Sequence, residues 1–278
     1  MGNQHDDRPV VVGVDASASA LSAVRWAGDE AVRRATGLRL VAAGGLVGEH
    51  LPGRAGRRHA LEEVLRTART VVPPDVPAEE LVVSGEPGPA LVAQSREAAV
   101  VVIGDRGAGR LEAVLTGSVA AVLVAGAQCP VVVVRGEVAA GSPVVVGVDG
   151  TPAAGVAAAF ALRAAAARGV PLVAVHAADQ RARIAQRLQV LGRGHPDVPV
   201  RVVVTGGAPG ESLLAESRRA QLVVVGSRGL GELAGLARGS VSALLVHRAA
   251  CPVALVGPGV ASGGWSDAVE VGNRLPSY

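Results

Sequence analysis

The sequence predicts an α/β protein made of two tandem doubly wound domains, and three observations carry that prediction. First, the chain repeats itself. VVVGVDAS at 10–17 returns as VVVGVDGT at 144–151, and VVVIGDRGAGRLEAVLTGSVAAVLV at 100–124 returns as LVVVGSRGLGELAGLARGSVSALLV at 222–246. Second, short β-branched runs alternate with longer Ala/Leu/Arg segments of helical period within each copy. Third, runs such as VVVGV, VVVI and VVVV are apolar on both faces, as a parallel sheet covered by helices requires. Such βα alternation closes through right-handed crossovers, and 278 residues is a length for two domains.

In the first copy the strands are expected at 10–14, 38–43, 80–84, 100–103 and 131–134, and the helices near 17–35, 57–70, 89–97 and 117–126. In the second copy the strands are expected at 144–148, 171–176, 200–204, 222–225 and 253–256, with helices near 152–168, 180–191, 211–218 and 239–249. Two further matches fall in the later half of each copy, where GEPGPALV at 85–92 answers GAPGESLL at 207–214 and CPVVVV at 129–134 answers CPVALV at 251–256. The first motif repeats at an offset of 134 and the later ones at 122, so the second copy lacks 12 residues. The Gly/Arg-rich stretch 45–59 is the expected place of that difference. The domains are expected at 1–135 and 144–278, joined by a linker at 136–143, with a Gly/Ser-rich tail loosely held from about 257.

Composition excludes several chemistries. All 27 basic residues are arginine, so Schiff-base catalysis and a Walker-type phosphate lysine are both ruled out. Residues 1–140 carry 14 Arg against 16 acids and residues 141–278 carry 13 against 8, a dispersed excess that forms no basic stripe. With one Phe, one Tyr and two Trp, rings are too few for base-stacking platforms, and nucleic acid is not an expected partner. No apolar run approaches the roughly 20 residues of a membrane helix. The N-terminus, MGNQHDDRP, is polar and acidic, which sets a cytoplasmic expectation. Cys129 and Cys251 stand alone and read as small buried thiols in a reducing compartment. The six histidines show no metal-ligand spacing and read as surface or structural residues.

In an open parallel sheet a ligand binds beyond the carboxyl ends of the strands, where the strand order reverses. The first strand of each copy ends in Gly-Val-Asp, Gly13 to Asp15 and Gly147 to Asp149. A carboxylate there can accept from a ribose hydroxyl or an adenine amine, or it can cap the next helix. Ser17 and Thr151 are also placed to cap, which would leave the carboxylates free. The fourth strand runs into Gly104-Asp105-Arg106-Gly107, then nine residues, then Gly117-Ser118 at a helix start. Its repeat is Gly226-Ser227-Arg228-Gly229, nine residues, then Gly239-Ser240. Glycines let a loop bring its amides close to phosphate oxygens, and a helix start adds free amides and the positive end of its dipole. Such an anion site needs no lysine, and Arg106 and Arg228 read equally well as phosphate contacts and as solvated side chains.

The G-2x-G-9x-G-S spacing after a strand, with an Asp ending the first strand, resembles the nucleotide-binding pattern of the universal stress protein family in its tandem two-domain form. The resemblance covers residues 8–135 and 143–257. It implies sheet order 3-2-1-4-5 in each domain, helices on both faces, and ATP bound between strands 1 and 4. By that resemblance Asp15 and Asp149 hold the adenine or ribose end, with Gly13 and Gly147 lining the same pocket. Ala43 and Ala177 take an adenine-packing position that the family fills with a larger Val. Gly104, Gly107, Gly117, Ser118 and Val119 cradle the phosphates in the first domain, and Gly226, Gly229, Gly239, Ser240 and Val241 in the second. The implied role is a stress-response regulatory module, with Mg²⁺ allowed beside the nucleotide. The alternative is a slow ATPase or autophosphorylating enzyme using the same site. The resemblance also implies that the last strands pair between domains as an intrachain pseudo-dimer, and it allows a homodimer.

Overall fold

Each sequence repeat folds around five parallel strands of its own. The computed structural model describes residues 6–44, 53–105, 119–137, 140–176, 181–226, 241–257 and 259–260, and the chain divides into two units, Met1–Val134 and Arg135–Tyr278.

In the first unit the elements are β1 (Val10–Gly13), α1 (Ala18–Arg34), β2 (Leu38–Ala43), α2 (Gly53–Arg69), β3 (Ala78–Val83), α3 (Pro87–Gln94), β4 (Val100–Gly104), α4 (Val119–Gly126) and β5 (Val131–Val134). The strands lie in the order β3-β2-β1-β4-β5, all parallel. Val10 sits opposite Leu38 on one side and Val100 on the other. The valines of β1 and β4 are fully buried. Helices cover both faces, and every position of these two strands except the terminal Gly13 and Gly104 is buried.

The second unit repeats the plan with β6 (Val144–Gly147), α5 (Pro152–Arg168), β7 (Leu172–His176), α6 (Arg181–Gly192), β8 (Val200–Val204), α7 (Pro209–Ser217), β9 (Leu222–Gly226), α8 (Val241–Arg248) and β10 (Val253–Val256). The order is β8-β7-β6-β9-β10, again parallel. Val144 pairs with Leu172 and Leu222, the same register as its counterpart Val10. The fold class and the sheet order expected from the sequence are therefore those observed.

The missing 12 residues are not one loop deletion. The stretch 45–59 straddles a boundary, because α2 already begins at Gly53. The helix itself is 17 residues long in the first unit and 12 in the second. The second copy thus shortened a surface helix together with its connection, which an outer helix tolerates because only one face is buried. The first residues after β5 belong to the second unit: Arg135 donates to the Leu245 carbonyl at 3.3 Å and the Val246 carbonyl at 2.5 Å, near the end of α8.

One polar bridge is repeated in each unit. Ser95 is fully buried, donates to the Val92 carbonyl at 2.7 Å, and accepts from the Gln128 amide at 2.9 Å. Its counterpart Ser217 donates to the Leu214 carbonyl at 2.8 Å and accepts from the Ala250 amide at 3.0 Å. Each hydroxyl ties the end of α3 or α7 to the chain entering β5 or β10, and so positions the strand beside the one that ends at the switch point.

Candidate functional site

The reversal of strand order falls between β1 and β4 in the first unit and between β6 and β9 in the second. The ladder with β2 runs one residue beyond Gly13, through the Val14 amide to the Val41 carbonyl at 2.9 Å, and Asp15 is the first residue past it. Its Oδ1 accepts from the Ser17 amide at 2.9 Å and the Ser17 hydroxyl at 2.5 Å. The Ser17 oxygen accepts in turn from the Ala20 amide at 3.1 Å and is the N-cap of α1. The second unit builds the same turn: Asp149 Oδ1 accepts from the Thr151 amide at 3.0 Å and hydroxyl at 2.6 Å, while the Thr151 oxygen accepts from the Ala154 amide at 3.3 Å. Ser17 and Thr151 therefore are the caps, as one of the two sequence readings had it. The carboxylates are not left free, however, since one oxygen of each orients the capping hydroxyl.

Gly104 and Gly226 end β4 and β9 directly against the first turns of α1 and α5. A Cβ on Gly104 would lie 2.5 Å from Ser19 Oγ and 2.7 Å from the Ser19 carbonyl carbon. On Gly226 it would lie 3.2 Å from the Ala153 carbonyl oxygen. These glycines bring two backbones together at the crevice, a packing reason that stands beside any ligand role. Gly13 and Gly147 also have a packing reason, because a Cβ there would meet Leu91 Cδ1 at 2.7 Å and Leu213 Cδ1 at 3.0 Å. Ala43 ends β2 and is 7% exposed. Val119 and Val241 are the first residues of α4 and α8, each half-buried. Gly107, Gly117, Ser118, Ala177, Gly229, Gly239 and Ser240 lie outside the described residues, as do Arg106 and Arg228.

Sequence reasoning missed one residue at this edge. His176, read as a surface or structural histidine, is the last residue of β7 and only 5% exposed. Its Nδ1 lies 2.7 Å from the Val148 carbonyl, the group immediately before Asp149. A carbonyl can only accept, so Nδ1 carries the proton. Nε2 is buried and without a hydrogen-bond partner, and so is Thr205 Oγ1, just past the neighbouring strand β8. Register places Ala42 at the matching position of the first unit, so no polar pattern shared by the two copies could have flagged this site.

Other chemistry lies elsewhere. Burial pushes the Cys129 and Cys251 thiols up to about 12, so both stay protonated. Among the described residues no group of three or more His, Cys, Asp or Glu side chains could hold a metal ion, and no helix is long and apolar enough to cross a membrane. A hollow of about 520 Å³ lined by Asp7, Val32, Thr36, Asp75 and Pro77 opens at the amino ends of β1–β3, the edge opposite the crevice.

Comparison with known proteins agrees with this architecture. The Universal stress protein family model matches residues 8–135 and 178–257. A universal stress protein of Mycobacterium bovis is 34% identical over 289 residues, covering 91% of this chain and 98% of that protein. One from Mycolicibacterium smegmatis is 34% identical over 290 residues, covering 90% and 97%. The crystal structure of a universal stress protein from Archaeoglobus fulgidus shares the fold with a TM-score of 0.75 at 20% identity, covering 92% of this chain and 98% of that one. With three quarters of its length matched by the family model and full-length relatives at this identity, the chain belongs to the universal stress protein family.

Proposed function

We propose that the protein is a regulatory module that binds ATP, one molecule at the switch point of each unit. The observation that carries this reading is the duplicated geometry: an Asp-braced cap on one side and a glycine pressed against the same helix start on the other. A nucleoside polyphosphate fits such residues. The carboxylates of Asp15 and Asp149 are acceptors of the kind that a ribose hydroxyl or a base amine donates to. A helix start presents amides with no partner in their own helix and the positive end of its dipole, which suits phosphate without any lysine, and Gly117-Ser118 and Gly239-Ser240 immediately precede α4 and α8 in the sequence.

On this reading Gly13, Asp15 and Ala43 take the nucleoside in the first unit, and Gly104, Gly107, Gly117, Ser118 and Val119 the phosphates. Gly147, Asp149 and Ala177, then Gly226, Gly229, Gly239, Ser240 and Val241, do the same in the second. Bound nucleotide stabilises the holding conformation by linkage, about 2.7 kcal/mol at 100 times the dissociation constant. Denaturing the purified protein after saturation with ATP and dialysis should release close to two adenine nucleotides per chain. Gly117→Asp with Gly239→Asp should release none while the circular dichroism spectrum is kept. Full occupancy in that double variant would refute the assignment.

A further inference from the structure

Among the described residues, the carboxyl edges of the two units differ chemically at a buried side chain. Position for position, β7 ends in His176 where the first unit has Ala42, and both are almost completely buried. The imidazole reaches across from β7 to the end of β6, where Nδ1–H donates to the Val148 carbonyl. That bond places the proton on Nδ1 and leaves Nε2 of the neutral ring as an acceptor. The acceptor has no partner, and leaving such an atom unpaired costs stability that a donor would restore. The ring is anchored on the Val148 carbonyl, one residue before Asp149, which the proposed function assigns to the nucleoside.

We infer that His176 Nε2 accepts a hydrogen bond from the nucleoside half of the ligand in the second unit, and that this makes the second site more selective than the first. The inference rests on the nucleotide-binding reading. The donor is an N–H or O–H group, either the exocyclic amine of the base or a ribose hydroxyl. A ligand lacking it leaves the imidazole unpaired and binds more weakly, whereas Ala42 imposes no such requirement.

The test is calorimetric titration of the full chain with ATP, with inosine triphosphate, which lacks the amine, and with 2′-deoxy- and 3′-deoxy-ATP, each lacking one ribose hydroxyl. Wild type should show two classes of site, one of them discriminating by about 3- to 10-fold against the analogue that lacks the donor. His176→Asn keeps a donor where Nδ1 was and removes Nε2, so it should abolish that discrimination while leaving the other class unchanged. Ala42→His should introduce discrimination into the first site, which keeps the proposal testable if the Asn variant misfolds. In ¹⁵N spectra of the imidazole, Nε2 should move toward a hydrogen-bonded acceptor on adding ATP. Equal affinity for all four ligands at both classes of site, or discrimination that survives His176→Asn, would overturn the inference. Failure of ATP to bind at either site would instead reject the reading beneath it.

Discussion

At the end of α1 the chain turns through Ala35 at φ 50°, a left-handed conformation that L residues avoid, while α5 ends in the equivalent turn through Gly169 at φ 62°. Both amides cap their helices in the same way, Ala35 onto the Val32 carbonyl and Gly169 onto the Ala166 carbonyl. The pair is a natural experiment in one chain. A Cβ on Gly169 would meet nothing within 4 Å, so Gly169→Ala isolates backbone strain and should cost about 1 kcal/mol in urea denaturation. Ala35→Gly should be neutral or stabilising. The crevice glycines make the opposite case, in which space decides. Gly104→Ala drives a methyl into the Ser19 backbone, whereas Gly226→Ala finds its nearest neighbour at 3.2 Å. We expect the former to lose about 1–3 kcal/mol and the latter clearly less, measured by the same denaturation midpoints. An equal loss would mean that the crevice adjusts as a whole.

Among the elements, legibility followed the kind of force involved. The central strands were readable because a strand buried on both faces has to be a short apolar run, and β1, β4, β6 and β9 are little else, whereas the outer β3 and β8 are partly exposed. The caps Ser17 and Thr151 were readable because few residue types accept from a helix amide. The start of α2 at Gly53 was not, since glycine and arginine give no apolar period there, and tertiary packing of its later turns sustains the helix. Nor were Ser95 and Ser217, whose partners Gln128 and Ala250 are each 33 residues away. Of the site, the motif residues stood out by repetition, and His176 stayed hidden because it is present only once. The serine bridges carry a testable consequence for β5 and β10. Ser95→Ala and Ser217→Ala each strand a backbone amide next to a strand entry and should cost about 1–3 kcal/mol. Amide exchange should rise first at Gln128 and Ala250. Protection unchanged at those two amides would show that the bridges do not hold the strands.

For the molecule as a whole, the two cysteines couple stability to alkaline pH. Each precedes the last strand of its unit, and burial is the largest cause of its raised pKa in both cases, opposed only in part by Arg8 near Cys129 and by the Val223 backbone and Arg135 near Cys251. In the unfolded chain a thiol ionises near 9, and in the folded protein at about 12. Between those values the native state holds a proton that the unfolded state has lost. The stabilisation is complete below pH 9 and falls as the pH rises toward 12, by about 1.4 kcal/mol per pH unit for each thiol. The same burial keeps the thiolate, the reactive form, out of reach. A thiol reagent at pH 8 should therefore find no reactive cysteine in the native protein and two after unfolding in guanidinium. Denaturation midpoints of the wild type should fall more steeply above pH 9 than those of Cys129→Ala with Cys251→Ala. Parallel pH profiles for the two proteins would place the alkaline loss in other groups and remove the thiols from the account.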